Sequence, residues 1–94
     1  MRVRVGVIGV GNMGSAHCKW LENHPQMVLT AVADVIEARR GRWAADPSVQ
    51  VFDSGQALIR SGACAAVIVA TPHFSHVALA SAALKAGLHV LVEK

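Results

Sequence analysis

The chain has 94 residues, 53% apolar and 16% charged, which is the size of one domain, richer in apolar and poorer in charged residues than the average globular protein. Nine Lys and Arg against six Asp and Glu leave +3 at pH 7, spread along the chain without an aromatic stacking motif or a helix-turn-helix pattern, so nucleic acid is not an expected partner. The longest apolar run, Ala63 to Ala70, falls far short of the roughly 18 residues that cross a bilayer, and no cleavable leader pattern follows Arg2 and Arg4, so a cytoplasmic protein with no membrane partner is expected.

Short β-branched runs alternate with longer amphipathic segments from end to end, the βαβ pattern. Val3, Val5, Val7, Ile8 and Val10 predict a strand covered on both faces, as in a parallel sheet. Met13 to about Asn23 predicts a helix stopped before Pro25, and Met27 to Ala33 a second strand ending at Asp34. Ile36 to Ala45 predicts a helix weakened by Gly41. Val49 to Phe52 predicts a third strand, and Asp53-Ser54-Gly55 a capped turn into a helix through Arg60. Ala65 to Ala70 predicts the fourth strand. Ser75 to Ala86 predicts the clearest helix, with Ser75 as N-cap and Gly87 as the residue just past its end, and His89 to Val92 begins a fifth strand.

Right-handed crossovers then give an α/β fold, a Rossmann-like doubly wound parallel sheet in the order 3-2-1-4-5. In that order the Gly9 loop, Asp34, Asp53, Thr71-Pro72-His73 and Glu93-Lys94 all follow strands at one carboxyl edge. Open α/β sheets bind ligands there, in the crevice where the strand order reverses, between the first and fourth strands. Cys18 and Cys64, expected on helix and strand, read as buried free thiols.

Gly9-Val10-Gly11-Asn12-Met13-Gly14 matches G-x-G-x-x-G, and its context sharpens the match: a β-branched strand precedes it, a helix follows, and Asp34 closes the next strand twenty residues beyond Gly14. Gly9 permits the turn, Gly11 lets a pyrophosphate approach the backbone, and Gly14 allows close helix packing, while free N–H groups around Asn12 and Met13 hold phosphate at the helix N-terminus. The plain alternative is a glycine-rich turn without a ligand. Asp34 accepts hydrogen bonds from adenosine ribose hydroxyls and repels a 2′-phosphate, which favours NAD; Arg39 and Arg40, otherwise a solvated helix face, keep NADP open. His73 and His76 are three apart but no Cys or carboxylate pair completes a ligand set, so no metal is expected. Together with Thr71 and Pro72 they occupy the segment facing the crevice, where a cofactor or substrate contact is expected. Lys94, after Glu93, stands where a lysine can donate to a substrate oxygen or relay its proton.

Gly9 to Gly14, Asp34, the run Ala70-Thr71-Pro72-x-x-x-His76 and the closing Ala86-Gly87-Leu88-His89-Val90-Leu91-Val92-Glu93-Lys94 together resemble the N-terminal domain of the Gfo/Idh/MocA oxidoreductases over the whole chain. The resemblance implies hydride transfer between a nicotinamide and a hydroxyl-bearing carbon of a sugar, cyclitol or related polyol, by a homo-oligomeric parent enzyme. It implies that Lys94 is the catalytic lysine contacting the reacting oxygen, and that Thr71, Pro72 and Glu93 shape the nicotinamide half of the site. His76 matches a frequent family histidine. His73 stands where the family commonly has Asn, and Ala65 where an Asp often begins the fourth strand. Residues 1–94 are then the dinucleotide-binding domain, the family's C-terminal substrate domain is absent, and the chain alone is expected to be inactive. An exposed fifth-strand edge and bare faces make it expected to be sticky or marginally stable, which accounts for the apolar surplus. Two rival readings are a stand-alone nucleotide-binding or sensing module, which has no use for Lys94, and an interaction module with no nucleotide affinity.

Overall fold

The computed structural model describes residues 2–71 and 75–92. Five parallel strands, β1 (Val3–Ile8), β2 (Met27–Ala33), β3 (Gln50–Phe52), β4 (Ala66–Val69) and β5 (His89–Val92), form one sheet in the order β3-β2-β1-β4-β5, as the chain pattern predicts. Between them run α1 (Asn12–Leu21), α2 (Glu37–Arg40), α3 (Gly55–Arg60) and α4 (His76–Lys85). No helix of the described residues is long and apolar enough to cross a membrane.

Both faces of the sheet are covered, which explains why its central strands read as near-continuous apolar runs. On one face Val5, Val7 and Val32 pack with Cys18 and Leu21 of α1 and with Trp43. On the other, Ile8, Ala31, Ala33, Val67 and Val69 meet Leu58 of α3 and Leu79 of α4. The two cysteines are free and buried, in different clusters. Burial pushes the Cys18 thiol up from 9.0 to about 12 and raises that of Cys64 as well.

The β1–β2 register shifts between Val5 and Gly6, whose partners are Leu29 and Ala31, so Thr30 is the extra residue of a bulge. The slip lets Leu29 face one cluster and Ala31 the other despite their even spacing. The Thr30 hydroxyl donates to the Ala63 carbonyl at 2.7 Å and ties the bulge to the segment entering β4.

Helix termini follow the sequence unevenly. Ser54 caps α3 as expected, its Oγ accepting from Ala57 N–H at 3.1 Å. Gly87 has φ +83° beyond α4, with Leu88 N–H donating to Ala83 C=O and Gly87 N–H to Leu84 C=O, a complete Schellman closure. Ser75 precedes α4 but makes no side-chain cap; its hydroxyl donates instead to Thr71 Oγ1 at 2.7 Å. The helix expected over 36–45 shrinks to the single turn of α2. Beyond it, Trp43 N–H reaches Arg40 C=O and Asp46 N–H reaches Trp43 C=O, three-residue turns that carry the Trp43 ring into the core. Burying that indole outweighs continuing a helix through Gly41. His89 opens β5 with its side chain exposed and its N–H donating to Ala65 C=O at 3.2 Å. His24 does more than the surface position before Pro25 suggests: its Nδ1 accepts from Gln26 N–H at 3.0 Å and Met27 N–H at 3.1 Å, closing the turn from α1 into β2.

Candidate functional site

A cavity of about 690 Å³ opens at the carboxyl edge of the sheet, between the ends of β1, β2 and β4. Of the residues singled out from the sequence, Gly9, Gly11, Asn12, Met13, Asp34 and Thr71 line it. Pro72, His73, Glu93 and Lys94 lie outside the described residues.

The glycine loop is built by sterics. Gly9 has φ +91°, and a Cβ there would stand 2.9 Å from the Ala70 carbonyl carbon and oxygen. A Cβ on Gly14 would fall on the Gly9 carbonyl oxygen, so the first turn of α1 rests directly on the loop. Gly11, at the N-cap of α1, makes no side-chain cap, which leaves the helix's first N–H groups without one at the cavity wall. Ser15, the residue after the glycine motif, fastens the loop from within: its Oγ donates to Val10 C=O at 2.8 Å. Its position directly behind Gly14 is the only sequence signal for that role.

Asp34 ends β2 almost wholly buried, its side chain 5% exposed. Its Oδ2 accepts from Val10 N–H at 2.9 Å and its Oδ1 from Ile36 N–H at 2.8 Å, so the carboxylate joins the glycine loop to the β2–α2 loop. Arg40 Nη1 donates to the Asp34 carbonyl at 2.8 Å, outside the cavity lining. Arg39 does line the cavity, its Nη1 3.8 Å from Asp34 Oδ2.

Thr71 forms the opposite wall. Its carbonyl accepts from His76 Nε2 at 2.6 Å, and since a carbonyl only accepts, Nε2 carries the proton. His76 is 8% exposed and stands behind the wall, bracing Thr71 across the start of α4 instead of lining the cavity. Ile36, Leu79 and Gln56 also line the space. Leu79 reads as an ordinary core residue of an Ala/Leu helix, so no sequence signal separates it from its neighbours.

The arrangement offers an anion a helix N-terminus without a side-chain cap and with the Arg39 guanidinium beside it, offers hydroxyls a fixed carboxylate, and offers a flat group two apolar walls. A Cβ-free cradle at Gly11 and an acid held at the next strand end are the features a dinucleotide needs.

Known proteins agree with that geometry. The family described as an oxidoreductase family with an NAD-binding Rossmann fold matches residues 3–94. An inositol 2-dehydrogenase of Rubrobacter xylanophilus is 40% identical over 94 residues, covering 99% of this chain and 27% of that protein. Among solved structures, myo-inositol dehydrogenase from Lactobacillus casei in complex with NAD(H) and myo-inositol superposes with a TM-score of 0.91 at 30% identity, over 100% of this chain and 29% of that one. Biliverdin reductase from Synechocystis in complex with biliverdin and NADP+ gives 0.88 at 33% identity, over 98% and 29%. The chain thus spans less than a third of the length of these relatives.

Proposed function

This chain belongs to the Gfo/Idh/MocA oxidoreductase family, as an NAD-binding Rossmann domain, and on that premise we propose that it holds the cofactor of an enzyme transferring hydride between a nicotinamide and a hydroxyl-bearing carbon of a sugar, cyclitol or related polyol. The observation that carries the reading is the Val10 N–H to Asp34 carboxylate bond of 2.9 Å, which locks a glycine loop and an acidic strand end into one cavity wall.

In this reading Gly9, Gly11 and Gly14 shape the pyrophosphate cradle, and the N–H groups at Asn12 and Met13 point donors at it. Asp34 keeps lone pairs beyond the two bonds it makes and takes the ribose hydroxyls with them. Thr71, held by His76 and Ser75, bounds the nicotinamide half, with Pro72 and Glu93 assigned to the same region by the family motif and His73, which departs from that motif, proposed as a cofactor contact beside them. The bound dinucleotide supplies or accepts the hydride. Lys94 orients the reacting oxygen and handles its proton. The register Val69↔Val92 supports this, because it brings the end of β5 beside the end of β4, two residues before Thr71. The substrate is a small molecule, and the enzyme is a cytoplasmic homo-oligomer.

Calorimetric titration of the chain with NAD tests the cofactor assignment. The wild type is expected to bind, and Gly11→Val, which fills the cradle, to lose about tenfold or more in affinity. Equal affinity in the two would remove the glycine loop from the site.

A further inference from the structure

We propose that Ser15 is a positioning residue for anion binding, holding the Val10–Gly11 peptide so that the Gly11 and Asn12 N–H groups face the phosphates of a bound dinucleotide; the proposal rests on the dinucleotide reading above. Three consecutive carbonyls turn toward α1. The Gly9 carbonyl lies where a Cβ on Gly14 would fall. The Val10 carbonyl accepts from Ser15 Oγ at 2.8 Å, and the Gly11 carbonyl from Ser15 N–H at 2.9 Å. In a trans peptide the N–H points opposite to the carbonyl, so the N–H groups of Val10, Gly11 and Asn12 turn away from the body of α1. The first of them reaches the cavity-lining Asp34 at 2.9 Å, which gives the direction of the row. The other two find no acceptor among the described residues, and Gly11 and Asn12 line the cavity.

Ser15 supplies a constraint that the glycines cannot. Turning the Val10–Gly11 plane over changes only ψ of Val10 and φ of Gly11 and leaves the flanking chain in place. Gly11 stands at φ −73°, and the flip carries it to positive φ, which glycine accepts and other residues resist. The residue that lets a pyrophosphate come close therefore also leaves the plane free to turn, and a turned plane aims the Val10 carbonyl at the anion in place of an N–H donor. Asp34 does not prevent this, because its bond to Val10 N–H holds the preceding Gly9–Val10 plane. Among the described residues the Ser15 hydroxyl is the one partner of the Val10 carbonyl, and it keys that plane to the helix whose N-terminus forms the cavity wall.

The test is titration of the chain with NAD and with adenosine, which carries no phosphate, followed through the backbone amide resonances, using wild type, Ser15→Ala, Ser15→Thr and Ser15→Val, with circular dichroism melts confirming that each is folded. Thr keeps the hydroxyl and Val has its shape without it, so the pair separates the hydrogen bond from added bulk at this half-buried position. Ser15→Ala should weaken NAD about fivefold relative to wild type, and Ser15→Val about fivefold relative to Ser15→Thr, while adenosine changes less than about twofold throughout. In wild type, NAD should shift the Gly11 and Asn12 amide resonances. Unchanged NAD affinity in Ser15→Ala overturns the proposal, as does equal NAD affinity in the Thr and Val variants. Equal losses for NAD and adenosine would make Ser15 a general support of the fold and overturn it too. Gly11 and Asn12 amides that stay unmoved in NAD-bound wild type overturn it without any variant, so a substitution that fails to fold does not leave it open. Failure of folded wild type to bind NAD would instead overturn the dinucleotide reading, and the Ser15 assignment with it.

Discussion

The Val10 N–H and the Asp34 carboxylate, 24 residues apart in the chain, are joined by a buried hydrogen bond of 2.9 Å. Through it, the acid proposed to read the ribose also fixes the loop proposed to cradle the pyrophosphate. The bond holds two proposed recognition elements in one arrangement, and on that reading a dinucleotide meets a preformed site and loses less affinity to ordering.

Those bonds make Asp34 a stability residue as well as a proposed binding one. Asp34→Ala leaves the N–H groups of Val10 and Ile36 without their acceptors, and is expected to cost about 2–4 kcal/mol. Asp34→Asn, which keeps one acceptor oxygen, should cost less. Urea denaturation measures the first effect and NAD titration the second; a full-stability Asp34→Ala protein with weakened NAD affinity would mean that the carboxylate serves the ligand alone.

Glycines in this chain divide by what surrounds them. Gly14→Ala drives a methyl into the Gly9 carbonyl and should cost about 3 kcal/mol or more, with loss of nucleotide affinity as the loop moves. Gly41 has helical φ −55° and ψ −34°, and its nearest neighbour to an added Cβ is Ala38 C=O at 3.6 Å. Gly41→Ala should therefore stabilise by about 0.5–1 kcal/mol, by restricting the unfolded chain. Thermal melts of the two variants should move in opposite directions.

Strand order, β2 from Met27 to Ala33 and the Gly87 helix end were legible in the sequence because each rests on local chemistry: β-branched runs, short crossovers, a residue free to take positive φ. The bulge at Thr30 was not, since it arises from two strands matching their apolar faces at a distance. The truncation of α2 depends on the core space waiting for Trp43, which no window of local sequence contains. At the site, the glycine spacing and Asp34 were visible, whereas the division of labour between Arg39 and Arg40 was hidden. Adjacent residues on a helical turn point about 100° apart, and only the seating of α2 decides which one faces the cavity.

The buried thiols give the fold an alkaline limit. Because burial raises Cys18 to about 12 from 9.0, and raises Cys64 in the same direction, the folded chain holds protons above pH 9 that the unfolded chain has lost. Unfolding then releases protons, so stability is full below about pH 9 and falls above it, by up to about 1.4 kcal/mol per pH unit for each thiol. Urea midpoints at pH 7.5, 9 and 10 should decline across the upper interval, and Cys18→Ala should decline less steeply even if it starts lower. A flat profile in wild type would show that the thiols ionise without unfolding.

The outer edge of β5 makes the last prediction. Among the described residues β5 pairs only with β4, and Leu91, 54% exposed, lies on it with Val92. An apolar strand with one unpaired edge is a template for another strand. The isolated chain should self-associate as its concentration rises, with sedimentation velocity showing a growing fraction above monomer and the melting temperature depending on concentration. Leu91→Lys places a charge on that edge without removing a core side chain, so it should restore the monomer at little cost in stability. Wild type that stays monomeric across the range would show that twist and the flanking His89 already protect the edge; association unaffected by Leu91→Lys would move the sticky surface elsewhere, to exposed Val77 and Leu84 of α4.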